Sequence, residues 1–255
     1  MVKLYAQTSG AGPELVLLHG WAMNSDVWEG VVPELAKRFR VTVMDLPGHG
    51  GSEAVADYAL AAQAALIAEQ LPTGAHVLGW SLGGMLAMQM ALDFPQRVAG
   101  LVLLCSAPRF VRGEDWPEGM EPQVLAGFAQ ELESDYQRTV ERFLAIQALG
   151  SEHARFELRA LRERVFRRGA PRLDALRGGL NILQTADLRE RLGELSCPTH
   201  IVCGQRDRLF SPQAAQKTQA LIAGSSLAVI EGAGHAPFIS HPDAFLAAVK
   251  GVGHG

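Results

Sequence analysis

The run Val77-Leu78-Gly79-Trp80 is apolar enough for a strand buried on both faces, and it passes through Ser81-Leu82-Gly83 directly into a helical pattern that Pro95 stops. A strand that becomes a helix within two residues belongs to a parallel sheet, because the helix must carry the chain back before the next strand begins. Glycines at 79 and 83 suit such a corner. They let neighbouring backbone approach where a Cβ would collide, and Ser81 between them is expected in a strained turn with its hydroxyl exposed at a helix N-terminus. The helix dipole there favours developing negative charge.

The rest of the chain keeps that rhythm. Strands are expected at 2–7, 14–18, 40–45, 75–80, 100–105, 199–203 and 227–230, and helices at 27–38, 58–71, 82–94, 212–222 and 242–249. Only 113–185 departs from it, with helical periods, many arginines and no strand. We therefore expect an α/β core in two parts, 1–112 and 186–255, with a mostly parallel sheet and helices on both faces. Residues 113–185 are expected to form an inserted helical cap over the carboxyl ends of the strands, where open sheets of this kind bind ligands. The tail 251–255 is expected to fray.

A serine hydroxyl is a poor nucleophile at neutral pH, so a base must take its proton and a third group must fix that base. His235 lies in the loop Gly232-Ala233-Gly234-His235-Ala236-Pro237 after the last expected strand, and Asp207 in Gly204-Gln205-Arg206-Asp207 after the one before it. Both reach the sheet edge that Ser81 occupies. The chain order serine, acid, histidine, together with G-x-S-x-G at a strand-to-helix corner, resembles the α/β-hydrolase fold. Ser81, Asp207 and His235 are thus expected as nucleophile, orienting acid and general base. Acyl transfer also needs oxyanion donors; the backbone N–H of Leu82 and that of Trp21, in the loop His19-Gly20-Trp21 after the second strand, are the candidates. His19 is expected to organise that loop, and 45–52 to be a structural turn.

Composition narrows the classes left open. With 255 residues, 48% of them hydrophobic and 20% charged, the chain can bury one large core. No apolar run approaches the roughly 20 residues a membrane span needs, and the first residues do not resemble a secretion signal, so residence in the cytoplasm is expected. A net charge of −4 argues against nucleic acid as a partner. Three cysteines, Cys105, Cys197 and Cys203, give neither a disulfide framework nor a metal-ligand spacing, and no metal or other cofactor is expected.

Nearly the whole sequence resembles the pimeloyl-[acyl-carrier protein] methyl ester esterases of bacterial biotin synthesis. The resemblance runs through His19-Gly20-Trp21, Gly79-Trp80-Ser81-Leu82-Gly83-Gly84, the segment Gln137-Arg138-Thr139-Val140-Glu141-Arg142-Phe143-Leu144-Ala145-Ile146-Gln147, and His235-Ala236-Pro237-Phe238-Ile239-Ser240-His241-Pro242. It implies hydrolysis of the methyl ester at the far end of a pimeloyl chain carried on acyl carrier protein, with Ser81 acylated and methanol released. It also implies a substrate channel lined by Trp21, Ser81, Leu82, Phe143, Leu144, Ala145, Ile146, Gln147 and His235.

One further signal comes from charge. Between 135 and 177 there are ten arginines against six acids in a chain that is acidic overall, and Arg138 with Arg142, and Arg155 with Arg159, are spaced to share a helix face. Such a face is either solvated or a docking surface for an acidic protein. The resemblance supplies that partner, acyl carrier protein, acting on a monomeric enzyme. Two other readings stay open on sequence grounds: a broad short-chain esterase or other capped α/β-hydrolase, and a catalytically inert ligand-binding member of the same fold.

Overall fold

The computed structural model describes residues 2–252; Met1 and residues 253–255, hence His254 and the end of the expected frayed tail, lie outside the described residues. Seven strands, β1 (Ala6–Ser9), β2 (Glu14–Leu18), β3 (Arg40–Met44), β4 (Ala75–Trp80), β5 (Val98–Leu104), β6 (Thr199–Gly204) and β7 (Ser226–Ile230), form one sheet in the order β1-β3-β2-β4-β5-β6-β7. β1 runs antiparallel to β3, and every other pairing is parallel. Strands β2 and β4 lie side by side although the chain visits β3 between them. That reversal opens a crevice above their carboxyl ends, the place where sheets of this type take ligands.

Burial explains which elements were legible. Four of the five residues in each of β2 and β3 and five of six in β4 are buried, so these strands read as apolar runs. All of β1 is exposed, and it starts at Ala6 rather than Val2: buried Leu4 belongs to the segment before the strand and pulled the expected boundary forward. The helix expected over 27–38 is instead a 3-10 turn (Ser25–Trp28) and a one-turn helix α1 (Val32–Leu35). Gly30 favours a break between them, and Pro33, lacking an N–H, suits the first turn of a new helix.

Helices α2 (Leu60–Gln70) and α3 (Leu82–Asp93) pack on each other, and residues 82–91 of α3 are all buried, as befits a helix that is apolar all round. After β5 the chain leaves the sheet for four helices, α4 (Pro122–Ser134), α5 (Tyr136–Ala148), α6 (Ala154–Arg167) and α7 (Leu173–Thr185), and returns at β6. Pro122 opens α4, and the Asp135 carboxylate caps α5 by accepting from the Arg138 N–H at 3.0 Å. Helices α8 (Pro212–Leu221), α9 (Pro237–Ser240) and α10 (Pro242–Ala248) complete the described chain, each opened by proline. No helix among the described residues is long and apolar enough to cross a membrane.

Candidate active site

Ser81 sits between β4 and α3 with φ 55° and ψ −118°, a conformation that costs a non-glycine residue of order 1–3 kcal/mol. Among the described residues three non-glycine residues have positive φ, Ala22, Ser81 and Cys105; they follow β2, β4 and β5 respectively, so this backbone strain is concentrated at one edge of the sheet. The Ser81 turn is braced on both sides: its N–H donates to the Leu104 carbonyl at 3.0 Å, and the Ser106 hydroxyl donates to its carbonyl at 2.7 Å. Sequence reasoning missed Ser106, which carries no motif of its own.

Two glycines make the turn possible by close approach. A Cβ on Gly79 would collide with the backbone of Gly83 and Gly84, and one on Gly83 would collide with the carbonyls of Leu18 and His19. The second contact seats the β2 loop directly on the first turn of α3. In that loop the His19 Nε2 accepts from the Leu46 N–H at 2.9 Å, which puts the proton on Nδ1 to donate to the Gly20 carbonyl at 2.8 Å. Burial lowers the His19 pKa, so the ring stays neutral and organises the loop. Neither Trp21 nor Leu82 uses its backbone N–H in a turn, loop or cap hydrogen bond among the described residues, and Leu82, first in α3, has no intrahelical acceptor.

Asp207 and His235 meet above β6 and β7. The Asp207 Oδ2 lies 2.8 Å from His235 Nδ1, and its Oδ1 accepts from the N–H groups of Leu209 at 2.8 Å and Phe210 at 3.0 Å. A carboxylate so held accepts from Nδ1–H, leaving the Nε2 lone pair available; Nε2 is buried and has no hydrogen-bond partner. Nearby Cys105 offers its Sγ within 4.8 Å of this pair. Burial, then the Asp207 charge, push its thiol pKa well above the ordinary range, so it remains a thiol, whereas a metal would need the thiolate.

The backbone of the histidine loop is tied down at three points. The His235 N–H donates to the Gln147 carbonyl at 3.2 Å, the Trp80 indole N–H donates to the His235 carbonyl at 2.8 Å, and the Glu152 N–H donates to the Gly232 carbonyl at 3.0 Å. Two of these come from the last turn of α5 and the corner that follows it, so the inserted helices touch the sheet edge at the histidine itself.

Against Ser81 lies a small apolar cavity lined by Phe110, Met120, Leu125, Phe143, Leu183 and Leu209. Of the expected channel residues in α5, only Phe143 lines it. Ala145, two positions on and so about 200° round the helix, is exposed; Leu144 and Ile146 pack into the hydrophobic core. Gln147 is buried with its Oε1 unpartnered. The Trp21 ring packs edge-on against Phe143 at 4.8 Å, and its indole N–H donates to the Leu176 carbonyl at 2.9 Å. Trp21 and Leu82 also crowd Gly179 of α7, where no Cβ fits. The lining from α4, α7 and the loops escaped sequence reasoning because single apolar residues in different elements carry no common pattern.

Of the ten arginines from 138 to 177, eight form ion pairs. Arg138 and Arg142 both reach Glu131, the first at 3.5 Å. Arg164 and Arg167 hold Glu29, and Arg168 lies 3.2 Å from buried Asp45, which also accepts from the Ser25 and Gly51 N–H groups. Arg155 and Arg159, both exposed on α6, form no ion pair among the described residues.

Residues 13–242 match a family model described as the alpha/beta hydrolase fold. The chain is 47% identical to a pimeloyl-[acyl-carrier protein] methyl ester esterase of Aeromonas hydrophila, over 94% of this chain and 95% of the relative. It is 44% identical to the protein of that name in Nitrosomonas europaea, over 96% and 98%. Among solved structures, an esterase from Exiguobacterium antarcticum superposes with a TM-score of 0.86 at 25% identity, covering 97% of this chain and 94% of that one.

Proposed function

We propose a function from one premise: the chain belongs to the α/β-hydrolase family and, within it, to the pimeloyl-[acyl-carrier protein] methyl ester esterases. The protein is a serine carboxylesterase that converts the methyl ester of pimeloyl-[acyl-carrier protein] to the free acid and methanol in biotin synthesis. His235 Nε2 takes the Ser81 proton as Oγ attacks the ester carbonyl. The tetrahedral oxyanion is received by the N–H groups of Leu82 and Trp21, each worth about 2.7–4 kcal/mol in sites of this kind. Collapse expels methoxide, which leaves as methanol with the proton from His235. Water then attacks the Ser81 acyl group by the same path, and the acid and Ser81 hydroxyl are released. Asp207 keeps the imidazole in the tautomer with a free Nε2 and stabilises the imidazolium. No step calls for a cofactor.

The observation that carries this reading is the Asp207–His235 pair at the sheet edge that holds Ser81; the six apolar, uncharged side chains beside Ser81 add a lining of the chemistry a methylene chain requires. We treat the helices of 113–185 as a cap closing that cavity, flanked by core segments 1–112 and 186–255. Arg138, Arg142, Arg155 and Arg159 are proposed to dock the acidic carrier, with Arg155 and Arg159 free to do so at once and Arg138 and Arg142 competing with Glu131. All groups invoked come from one chain, so a monomer suffices, and a soluble carrier substrate puts the reaction in the cytoplasm.

Methanol release from the carrier-bound pimeloyl methyl ester, measured beside a small methyl ester, tests the proposal. Preference for the carrier-bound ester of tenfold or more in kcat/KM is expected; equal turnover would make the protein a broad short-chain esterase. Failure of a fluorophosphonate to label Ser81 would make it a binding protein on a hydrolase fold.

A further inference from the structure

Helix α6 carries a carboxyl group that the reaction above does not use. Glu157 is fully buried, and neither of its oxygens forms a hydrogen bond of ordinary geometry. Its surroundings are the Ser151 hydroxyl at the α5–α6 corner, the Ser240 hydroxyl of α9 and the N–H of Ala236, the residue next to His235. Helices α6 and α9 pack on each other, so Glu157 fills the joint between the inserted helices and the turn that leaves the histidine. An orphaned acid is an expensive occupant for such a joint, since an unpaired buried charge has no water to solvate it.

We propose that Glu157 is a positioning residue for His235, wedging the Ala236–Ser240 turn against the inserted helices without touching substrate. The proposal rests on the triad reading given above. The joint continues the contacts already described: the Gln147 carbonyl holds the His235 N–H, the Glu152 N–H holds the Gly232 carbonyl, and the Glu152 carboxylate pairs with Arg206 beside Asp207 at 2.8 Å. Glu157 extends that seam past the histidine to the other side of the loop.

Burial pushes the Glu157 carboxyl up to about 7, with the Asp207 charge adding to the rise and its serine and amide neighbours moderating it. Near neutral pH its neutral and ionised forms therefore coexist. Other charged groups around the joint are committed elsewhere: on α5 Glu141 pairs with Arg162, in the 3-10 turn Asp26 pairs with Arg168, and α9 brings only Ser240. The His153 and His241 rings meet at a tilt with centroids 5.0 Å apart, the first exposed and the second half-buried. Three carboxylates thus bear on the loop: Asp207 holds its N–H donors, Glu152 lies against Gly232 and pairs with Arg206, and Glu157 has neither a cation nor an ordinary hydrogen bond, so its ionised form adds uncompensated negative charge beside the turn that leaves His235.

The test is the rate of Ser81 labelling by a fluorophosphonate, measured across pH on the full chain for wild type, Glu157→Gln and Glu157→Ala. Glu157→Gln, which fills the same space, is expected to keep the plateau rate within about threefold and to move the midpoint of the acid limb down by about 0.3–1 pH unit. Glu157→Ala is expected to lower the plateau rate about 5- to 50-fold. A merely structural role would lower thermal stability without moving the midpoint. A wild-type midpoint in Glu157→Gln, or a wild-type plateau in folded Glu157→Ala, overturns the proposal; if Glu157→Ala does not fold, the glutamine variant decides alone. Wild-type protein that is not labelled at Ser81 overturns the triad reading instead, so the two failures are distinct.

Discussion

The sheet edge that carries Ser81 and the helices inserted above it hold their polar side chains in opposite ways. At the edge, Ser81, Asp207 and His235 are buried, and backbone groups fix the first two turns and the histidine loop. On the helices, Arg138 and Arg142 are mostly exposed, with 71% and 57% of their side-chain surface accessible, and they share a single acid. Exposed ion pairs of that kind are worth about 0–1 kcal/mol, against several kcal/mol for a preorganised group in a water-poor site. If the proposed roles hold, the two regions divide the labour: substitutions at the edge should have large, cooperative effects on rate, and those on the helices small, salt-sensitive effects on partner choice.

The largest effect should come from the edge. Replacing Ser81 or His235 by alanine is expected to lower kcat by on the order of 10⁴-fold or more, and the double variant should be little worse than either, because members of one triad act as a unit. Steady-state rates on one substrate check this, and additive losses would break the assignment. Asp207→Asn should cost about 10⁴-fold, since an amide favours the wrong imidazole tautomer; near-full activity would mean that another carboxylate orients His235.

The joint between the two regions should show an intermediate effect, in stability. Glu157 has its pKa raised from 4.5 to about 7, so the folded state holds its proton more tightly than the unfolded chain. Stability then falls as pH rises from about 4.5 and levels off above about 7. Glutamine cannot ionise, so denaturant titrations should show Glu157→Gln gaining about 3 kcal/mol on wild type between pH 4 and pH 8, at roughly 1.4 kcal/mol for each pH unit that separates the folded and unfolded midpoints. A pH-independent difference between the two would mean that the carboxyl titrates normally in the fold.

The smallest effects belong to the exposed arginines. Arg155→Glu with Arg159→Glu should raise KM for the carrier-bound ester about 2- to 30-fold, taking roughly 0.2–1 kcal/mol per contact at 1.4 kcal/mol per decade. The same change at Arg138 and Arg142 should do less, because Glu131 already occupies them. Hydrolysis of a small ester should not respond, and added salt should mimic the substitutions. Equal responses from both substrates would assign the arginines to holding the inserted helices in place, and the contrast between edge and helices would lose its functional meaning.

What the sequence determined by itself was whatever depends on local pattern. Buried strands betray themselves as apolar runs, and the glycines at 79 and 83 with Ser81 between them specify a corner whose backbone geometry allows few alternatives. Asp207 and His235 were legible because each directly follows a strand, and a parallel sheet delivers all its strand ends to one edge. Tertiary structure decided what depends on the meeting of distant elements. The exposed β1 took its form from its place at the sheet edge, whereas the break within 25–35 was a local matter of Gly30 and Pro33 that the apolar periodicity masked. Phe110, Leu183 and Leu209 become neighbours of Ser81 only through folding, and Ala145 leaves the expected lining because the helix turns it to solvent. Charge spacing pointed to four equivalent arginines, yet Glu131, on a different helix, separates two of them from the rest. Local pattern fixes backbone direction and burial; the partners of a side chain are set by packing between segments, which no window of sequence contains.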